Sequence, residues 1–455
     1  MRRTILLLAT VALTLLVASG VALATAIGSA QAANKVVGPG ESIQKAIYAA
    51  DPGDTIIVRG VHREDLVIRK NGIKLRGIGN AVIEVPARAK ADSPCSKAFG
   101  PGAICLLGDV NVKTGKLTGQ RQRVSDVSVS GFTIRSFKAT FILEGNFARN
   151  ATFERNRITG NPAGGIAFGK SVNTTIAKNH VPETGILVNS SSRTKIVNNV
   201  VRSVPEDHSA IEVTEATSTT IEGNDLIGNW FGVLDIESTG TKIVSNDIMD
   251  STLVGAVTLD STGTKILSND IRRSGETGIT IFGQKSQDPK VVGNDISGGA
   301  FGMFVANTRG GSIAGNTIRN NCSGMFIQAF PSEPVGGFEV KGNTIEDNTR
   351  SCRTPQFDIN TSGIGIALLG ARDMELTGNH LSGNVPSGPT RISGGVVVAA
   401  NPYDDSSRGP KSTNNSVIGN HFGRNKPDIF YDKSGSGNRF LGNLCNTSVP
   451  SRLCN

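Results

Sequence analysis

Apolar and polar positions recur along this chain with a period of about 23 residues. The most regular feature is Asn-x-(Ile/Leu/Val), and eight or nine residues after many of its Asn residues a Gly opens a short stretch of alternating apolar and polar residues, such as 232–237 (GVLDIE). Because a unit this short cannot bury its own apolar side, the repeat predicts stacked coils. The repeated Asn residues are Asn156, Asn179, Asn199, Asn224, Asn246, Asn269, Asn294, Asn316, Asn343, Asn379, Asn420 and Asn443.

The period predicts an all-β fold, a single-stranded right-handed parallel β-helix (solenoid). Two coils, 237–248 and 260–271, are nearly copies of each other at an offset of 23 residues, so their residues should stack directly. We expect the Asn amides to hydrogen-bond along the stack and to tolerate the left-handed backbone of a sharp turn. A helical solenoid is disfavoured because the 3.6-residue apolar period is missing. The Leu spacing of leucine-rich repeats is missing as well.

The amino-terminal region departs from the repeat and predicts a short capping helix. Residues 42–50 (SIQKAIYAA) form an amphipathic pattern with Ser42 as the N-cap, which would cover the strand edges of the first coil. The chain then divides into a signal peptide (1–32), the cap helix and first coils (33–83), a disulfide-braced insertion (84–123) and the repeats (124–455). Loop insertions are expected near 346–362 and 384–412, where the period lengthens.

The first residues resemble a secretory signal, since Arg2 and Arg3 precede a long apolar run that ends in small residues. Location outside the cytoplasm follows, either secreted or at the cell surface. An uncleaved signal would instead anchor the chain in a membrane. Six cysteines form three couples close in sequence and favour disulfides. The couples are Cys95 with Cys105, Cys322 with Cys352, and Cys445 with Cys454.

The charge of the chain indicates its class of partner. The formal net charge is +9, and +7 without Arg2 and Arg3. A basic exported protein attracts polyanions, so we expect an acidic polysaccharide or another cell-wall polymer as partner. We expect no nucleic acid, because one Trp and three Tyr provide few platforms for stacking bases.

The amino-terminal motifs carry a family resemblance. The segments 40–47 (GESIQKAI), 52–58 (PGDTIIV), 63–68 (REDLVI) and 73–79 (IKLRGIG) resemble the opening of periplasmic copper-site-assembly proteins and of polysaccharide-modifying relatives within the pectin-lyase-like superfamily. His62 stands where those relatives often have Tyr. The resemblance implies the right-handed β-helix, and it implies a range of activities from lyases and epimerases to non-enzymatic surface proteins.

Three carboxylates form the first candidate site. Counting back from the aligned Ile221, Ile243 and Ile266 predicts an outward column of Glu215, Glu237 and Asp260, which could bind Ca²⁺. The same count from Val291 gives Lys285. The resemblance to polysaccharide lyases implies that such acids hold Ca²⁺ against a uronate while Lys285 removes the C5 proton. Asp235, two residues before Glu237, should enlarge the patch. The alternative is a solvated outer face with no metal.

The second candidate site is the pair Asp207 and His208, on a corner just before a strand, where a His beside a carboxylate is one arrangement for general acid–base catalysis. The alternative is an exposed corner His.

The sequence thus predicts an exported β-helix protein that engages acidic polysaccharide, with a Ca²⁺-assisted lyase or C5-epimerase as its enzymatic form. The rival class is a non-catalytic extracellular binding or structural protein, or a periplasmic-type cofactor-assembly accessory.

Overall fold

The computed structural model describes residues 32–84, 102–108, 111, 123–135, 141–160, 164–202, 208–354, 359–402 and 409–454. These residues form one α-helix, Ile43–Ala49, and 49 β-strands, nearly all of which lie in three long parallel sheets. Each complete coil contributes one strand to each sheet in the order A, B, C, and the two ends of the helix are incomplete coils. The predicted parallel β-helix is therefore confirmed.

Sheet A has 16 strands, and each strand pairs with the next one along the chain that belongs to this sheet. They are Asn34–Val37, Thr55–Val58, Lys74–Gly77, Ser128–Ser130, Thr152–Glu154, Thr175–Ala177, Lys195–Val197, Thr220–Glu222, Lys242–Val244, Lys265–Leu267, Lys290–Val292, Arg309–Ala314, Gly336–Lys341, Glu375–Thr377, Ser416–Ile418 and Arg439–Leu441.

Sheet B has 14 strands. They are Val61–His62, Val82–Glu84, Thr133–Arg135, Arg157–Thr159, His180–Pro182, Val200–Arg202, Asp225–Ile227, Asp247–Met249, Asp270–Arg272, Asp295–Ser297, Thr317–Arg319, Thr344–Glu346, His380–Ser382 and His421–Gly423.

Sheet C has 15 strands. They are Leu66–Ile68, Gly102–Leu107, Phe141–Asn146, Ile166–Gly169, Ile186–Asn189, Ser209–Thr214, Phe231–Ile236, Val254–Leu259, Thr277–Phe282, Phe301–Ala306, Ser323–Gln328, Ile364–Leu369, Gly394–Ala399, Ile429–Tyr431 and Ser448–Val449. Outside the three sheets, Val124–Ser125 pairs with Ala148–Arg149, and Cys352–Thr354 pairs with Ile359–Thr361.

The repeated Asn residues lie at the corner between sheets A and B and form one buried ladder. Each side-chain amide donates to the amide oxygen of the next coil at 2.9–3.2 Å, from Asn156 to Asn443. Asn246 also donates to the carbonyl of Ile221 and accepts from the main-chain N–H of Asn224. The predicted hydrogen-bonded stack of amides is confirmed.

One detail of that prediction is wrong: the ladder Asn residues do not adopt the left-handed backbone. The residue immediately before each of them does, with Ser245 at φ 52° and Gly342 at φ 61°. The left-handed residue forms the corner and directs the side chain of the following Asn inward. There the amide hydrogen-bonds main-chain N–H and carbonyl groups that would otherwise have no partner at the corner.

The ladder also locates the loop insertions. Asn343 and Asn379 are 36 residues apart in sequence yet adjacent in the ladder, and so are Asn379 and Asn420 at 41 residues. After Asn343 the extra residues leave the helix between sheets B and C, and after Asn379 they leave it on both sides of the sheet C strand. The segment 84–123, in contrast, contributes the sheet C strand Gly102–Leu107, which pairs with strands on both sides.

The amino-terminal helix is capped as the sequence predicts. The Ser42 side chain accepts from the main-chain N–H of Lys45, and the Glu64 carboxylate accepts from the N–H groups of Ile43 and Gln44. Ile43 and Ile47 pack into the first coils. In the described residues, no helix is long and apolar enough to cross a membrane.

Two of the three predicted disulfides are present, Cys322 with Cys352 and Cys445 with Cys454. Cys95 lies outside the described residues, so its pairing with Cys105 stays a prediction. The signal peptide, apart from Ala32, lies outside them as well.

Replacing Asn246 by Ala should lower the free energy of unfolding by about 1–3 kcal/mol, because the buried groups that it serves in two neighbouring coils lose their partner. Chemical denaturation followed by circular dichroism measures the loss. The exposed Asn446, changed to Ala, is the matched control and should shift the curve little. Equal shifts for both variants would contradict a stabilising ladder.

Candidate functional site

The outer face of sheet C is apolar through its middle and carboxy-terminal coils. Leu234, Val257, Thr280, Phe304 and Phe326 occupy one outward column. In a strand with one exposed face, inward apolar residues normally alternate with outward polar residues. Here insertions cover part of the apolar face, and Phe330 and Ile392 pack against a second hydrophobic cluster outside the main core.

A cleft of about 340 Å³ opens where this cover begins, and we call it the sheet C cleft. The Phe301 ring lies 4.9 Å from the Phe326 ring and 6.0 Å from the Phe304 ring, centroid to centroid, which fixes the aromatic wall. The cleft is lined by Leu253, Val254, Glu276, Thr277, Thr280, Phe282, Phe301, Phe304, Phe330 and Glu333.

Two carboxylates share this aromatic cleft. Glu276 directly precedes the strand Thr277–Phe282, and burial raises its pKa above the usual value of a glutamate. Glu333 is held by a two-way main-chain hydrogen bond with Phe330, at 3.0 Å in each direction, which closes the covering loop. A carboxyl with a raised pKa and a second carboxyl in the same cleft make an arrangement that general acid–base catalysis can use.

The predicted acidic column exists, but it lies in turns and not on a strand face. Glu215, Glu237 and Asp260 directly follow consecutive sheet C strands and have φ of 52°, 48° and 49°. Their main-chain N–H groups donate to the next coil, which stacks the three turns. The structure therefore brings these side chains together at the carboxyl ends of the sheet C strands.

Each carboxylate of the column already has a partner from the protein. Lys285 Nζ lies 3.5 Å from Glu237, the main-chain N–H of Lys285 donates to Asp260, and Ser190 donates to Glu215. Within the described part of the chain, no three His, Cys, Asp or Glu residues form a group that could hold a metal ion. Ca²⁺ prefers six or more oxygen ligands, so its binding here would require these carboxylates to exchange their present partners for the ion.

The two predicted catalytic sets do not meet. His208 directly precedes the strand Ser209–Thr214, and Glu215 directly follows it, so about 20 Å of extended chain separates them. His208 lines a smaller cleft with Ser209, Glu212 and Thr184. Asp207 lies outside the described residues. The pairing of Asp207 with His208 thus stays a prediction.

Asp235 corrects another expectation, because it points into the core and not toward the acidic column. It is fully buried in the column that Val213 and Ile281 occupy in other coils. Thr241 and Thr264 donate to its two oxygens at 2.8 Å each. Burial raises the pKa of Asp235, against the smaller lowering effect of these hydroxyls. The Glu144 carboxyl, on the outer face of sheet C, also has its pKa raised by burial, to about 7.

A ladder of aspartates on sheet B was missed in the sequence. Asp225, Asp247, Asp270 and Asp295 stack on consecutive strands. They occupy the variable position of the Asn-x-Ile signature, so reading that position coil by coil reveals them. Their charge is compensated by the arginines of the same face. The ion pairs are Arg202 with Asp225, Arg272 with Asp247 and Asp270, and Arg319 with Asp295.

The architecture and the stacked columns define a right-handed parallel β-helix protein. A family model described as the right-handed β-helix region matches residues 120–248, 184–329 and 232–401, which together cover more than half of the chain. The chain therefore belongs to the right-handed β-helix family. A search of curated proteins found no match.

Several solved structures are similar in fold. The tailspike protein 3 of bacteriophage CBA120 matches with a TM-score of 0.52 and 13% identity over 88% of this chain, which spans 58% of the tailspike's length. The A-module of an Azotobacter vinelandii mannuronan C-5 epimerase matches at 0.45 and 16%, over 90% of this chain and 94% of the module. A periplasmic alginate epimerase matches at 0.41 and 12%, over 90% and 83%. At 13% identity, the match to the tailspike supports the fold alone.

Asp235 should make stability depend on pH. Because its pKa is raised in the folded state, its protonated form contributes stability below the ordinary Asp pKa, and this contribution is lost as pH rises through the folded-state value. Asp235→Asn should therefore gain stability relative to the parent protein as pH rises over that window. Denaturation midpoints across pH measure the difference. Glu339→Gln, at an exposed position, is the control; a constant difference for Asp235→Asn would contradict the assignment.

Calcium binding by the column stays a prediction, and calorimetric titration tests it directly. Ca²⁺-dependent heat that is present in the parent protein and lost in the Glu237→Ala, Asp260→Ala double variant would support it. A titration of the parent protein without heat would show that the prediction is wrong.

Proposed function

We propose that this protein binds a polysaccharide outside the cytoplasm and holds sugar units in the sheet C cleft. The supporting observation is the cleft itself, in which Phe282, Phe301, Phe304 and Phe330 surround two carboxylates. Ligand sites are mostly apolar concavities with a few placed polar groups. Aromatic rings suit the C–H faces of pyranose rings, and carboxylates accept hydrogen bonds from their hydroxyls.

The chemistry that this cleft favours is acid-assisted attack on a glycosidic bond. Glycosidases commonly use two carboxyl groups, one of which is kept protonated by its surroundings to protonate the leaving oxygen. Burial shifts the pKa of Glu276 in the direction that favours its protonated form, and Glu333 is the candidate second group. Thr277 and Thr280 provide hydroxyls on the floor of the cleft, where they can orient a sugar.

Lyase or C5-epimerase chemistry is the alternative enzymatic form. It assigns C5 proton removal to Lys285, an exposed side chain whose ammonium lies beside Glu237. A lyase generates an unsaturated product, and an epimerase changes only the configuration of the sugar. Ultraviolet absorbance during incubation with pectate and alginate, with and without Ca²⁺, distinguishes the lyase from hydrolysis, and NMR of the product detects the epimerase.

Location outside the cytoplasm is supported by the two disulfides, since such bonds persist in oxidising compartments. The rival class, a non-catalytic binding or structural protein, would use the same cleft without turnover. The other rival, a cofactor-assembly accessory protein, would have to bind the cofactor that it delivers.

Two cleft variants separate binding from catalysis. Phe304→Ala should weaken the binding of a fragment that fills the cleft by about tenfold, because one wall of the apolar lining is lost. Glu276→Gln should leave that binding within about twofold, yet lower the release of new reducing ends by about 100-fold or more. Isothermal titration with oligosaccharides from a polysaccharide panel and a reducing-end assay provide the two readouts.

Phe440, which packs at the far end of the core, becomes Ala in the control variant and should leave fragment binding unchanged. If Phe304→Ala also binds every fragment as the parent protein does, the cleft is not the sugar site. Normal binding with no reducing ends from the parent protein would assign the chain to the non-catalytic class.

A further inference from the structure

Sheet A carries a row of three lysines that differs from the acidic column and from the aspartate ladder. Lys242, Lys265 and Lys290 occupy the same outward position on three consecutive strands. They are spaced by about 4.8 Å, the distance between neighbouring strands. We call them the lysine row. Beside it runs an aliphatic row, Val244, Leu267 and Val292, at the second outward position of the same strands.

The lysine row is not compensated within the described structure. Its three members form no ion pair with any carboxylate there, whereas the aspartate ladder on sheet B has an arginine partner in each coil or the next. Thr220 before the row and Ser312 after it limit the row to three coils, while Glu222 lies in the aliphatic column next to Val244. Like charges directly opposite each other on neighbouring strands destabilise a sheet. The row therefore favours an external anion.

A second cleft, of about 750 Å³, adjoins the end of the row and is mostly polar. Its wall includes Arg309 and Asn307. Arg309 lies three residues before Ser312, which pairs with Lys290 on the neighbouring strand of sheet A. Asn307 is 7% exposed. The buried Asn307 Oδ1 has no hydrogen-bond partner. An orphaned buried acceptor requires a donor such as a hydroxyl. The cleft is lined by Gln284, Gln287, Asp288, Asn307, Thr308, Arg309, Gly310, Ser332 and Pro334.

We propose that the lysine row and this polar cleft form a second binding surface, which holds a linear acidic polysaccharide along the helix axis. A polyuronate carries one carboxylate on each sugar, and the length of a sugar unit is comparable to the spacing of the coils. Carboxylates lie along the lysines, C–H faces lie on the aliphatic row, and hydroxyls bond the amides that line the cleft. Asp288 is the one acid of the cleft and restricts where a carboxylate can lie.

This inference rests on the proposed function for its class of ligand but concerns a different face. The sheet C cleft acts on sugar units, and the surface on sheet A retains the polymer. Anionic lipid headgroups would also be attracted to lysines. Lipid headgroups would not explain the adjoining cleft, which contains an unsatisfied acceptor. The amides that line this cleft suit hydroxyl groups, and its arginine suits carboxylates.

Binding of long polygalacturonate to the full chain tests the surface. The Lys242→Gln, Lys265→Gln, Lys290→Gln variant should bind it about tenfold more weakly at physiological salt, since each exposed contact contributes modestly. Arg309→Gln should add a further loss of severalfold. The matched control Lys45→Gln, Lys178→Gln, Lys433→Gln removes the same charge elsewhere and should change affinity less than twofold.

Three comparisons make the result decisive. Equal losses in the lysine-row variant and its control would overturn the surface, since net charge alone would then explain binding. Unchanged polygalacturonate binding together with lost binding to phosphatidylglycerol vesicles would assign the row to a membrane and overturn the polysaccharide. Fragment binding in the sheet C cleft should be normal in the lysine-row variant, so failure of this surface is distinguishable from failure of the proposed function.

Discussion

Every surface of this molecule depends on one interaction, the amide ladder that fixes each coil above the previous one. Because the Asn246 side chain bonds Asn269 in the next coil and both Asn224 and the Ile221 carbonyl in the preceding coil, a coil cannot shift by one residue without breaking buried hydrogen bonds. The register is constant even across the long insertions, where Asn343 still contacts Asn379. A constant register makes each position of the repeat a straight column, so the chemistry of a face is set by one residue type per coil.

The sequence predicts the fold because the ladder and the inward Ile positions are visible as a period. It predicts neighbours within a column for the same reason, and Glu215, Glu237 and Asp260 do stack. Direction is less predictable. Strand alternation places Leu234 and Ile236 outward and Asp235 inward, but the left-handed residue Glu237 breaks this parity at the turn. Counting by twos from Glu237 to Asp235 therefore crosses a change of backbone conformation and assigns the wrong face.

The sheet C cleft was less accessible to sequence reasoning, because its parts are distant in the chain and contradict the expectation of a polar outer face. Glu276 and Phe304 belong to neighbouring coils, but Phe330 and Glu333 come from a loop whose path no period describes. An apolar outer column such as Val257, Phe304 and Phe326 is detectable once the register is known. The tertiary packing of the insertions determines which residues cover this column. It also determines where the covered part ends and the cleft begins.

The same register gives the three sheets different electrostatic character. On sheet B, stacked aspartates coexist with arginines one coil away, so attraction offsets the repulsion within the ladder. On sheet A, the three lysines repeat beside a row of aliphatic residues and form no ion pair with any acid among the described residues. A stacked column repeats the same side-chain type on successive coils. A polymer whose repeat has a similar length can therefore contact such a column with one unit per coil. Periodic proteins therefore recognise periodic ligands through columns, and the column without internal partners is the one available to an external ligand.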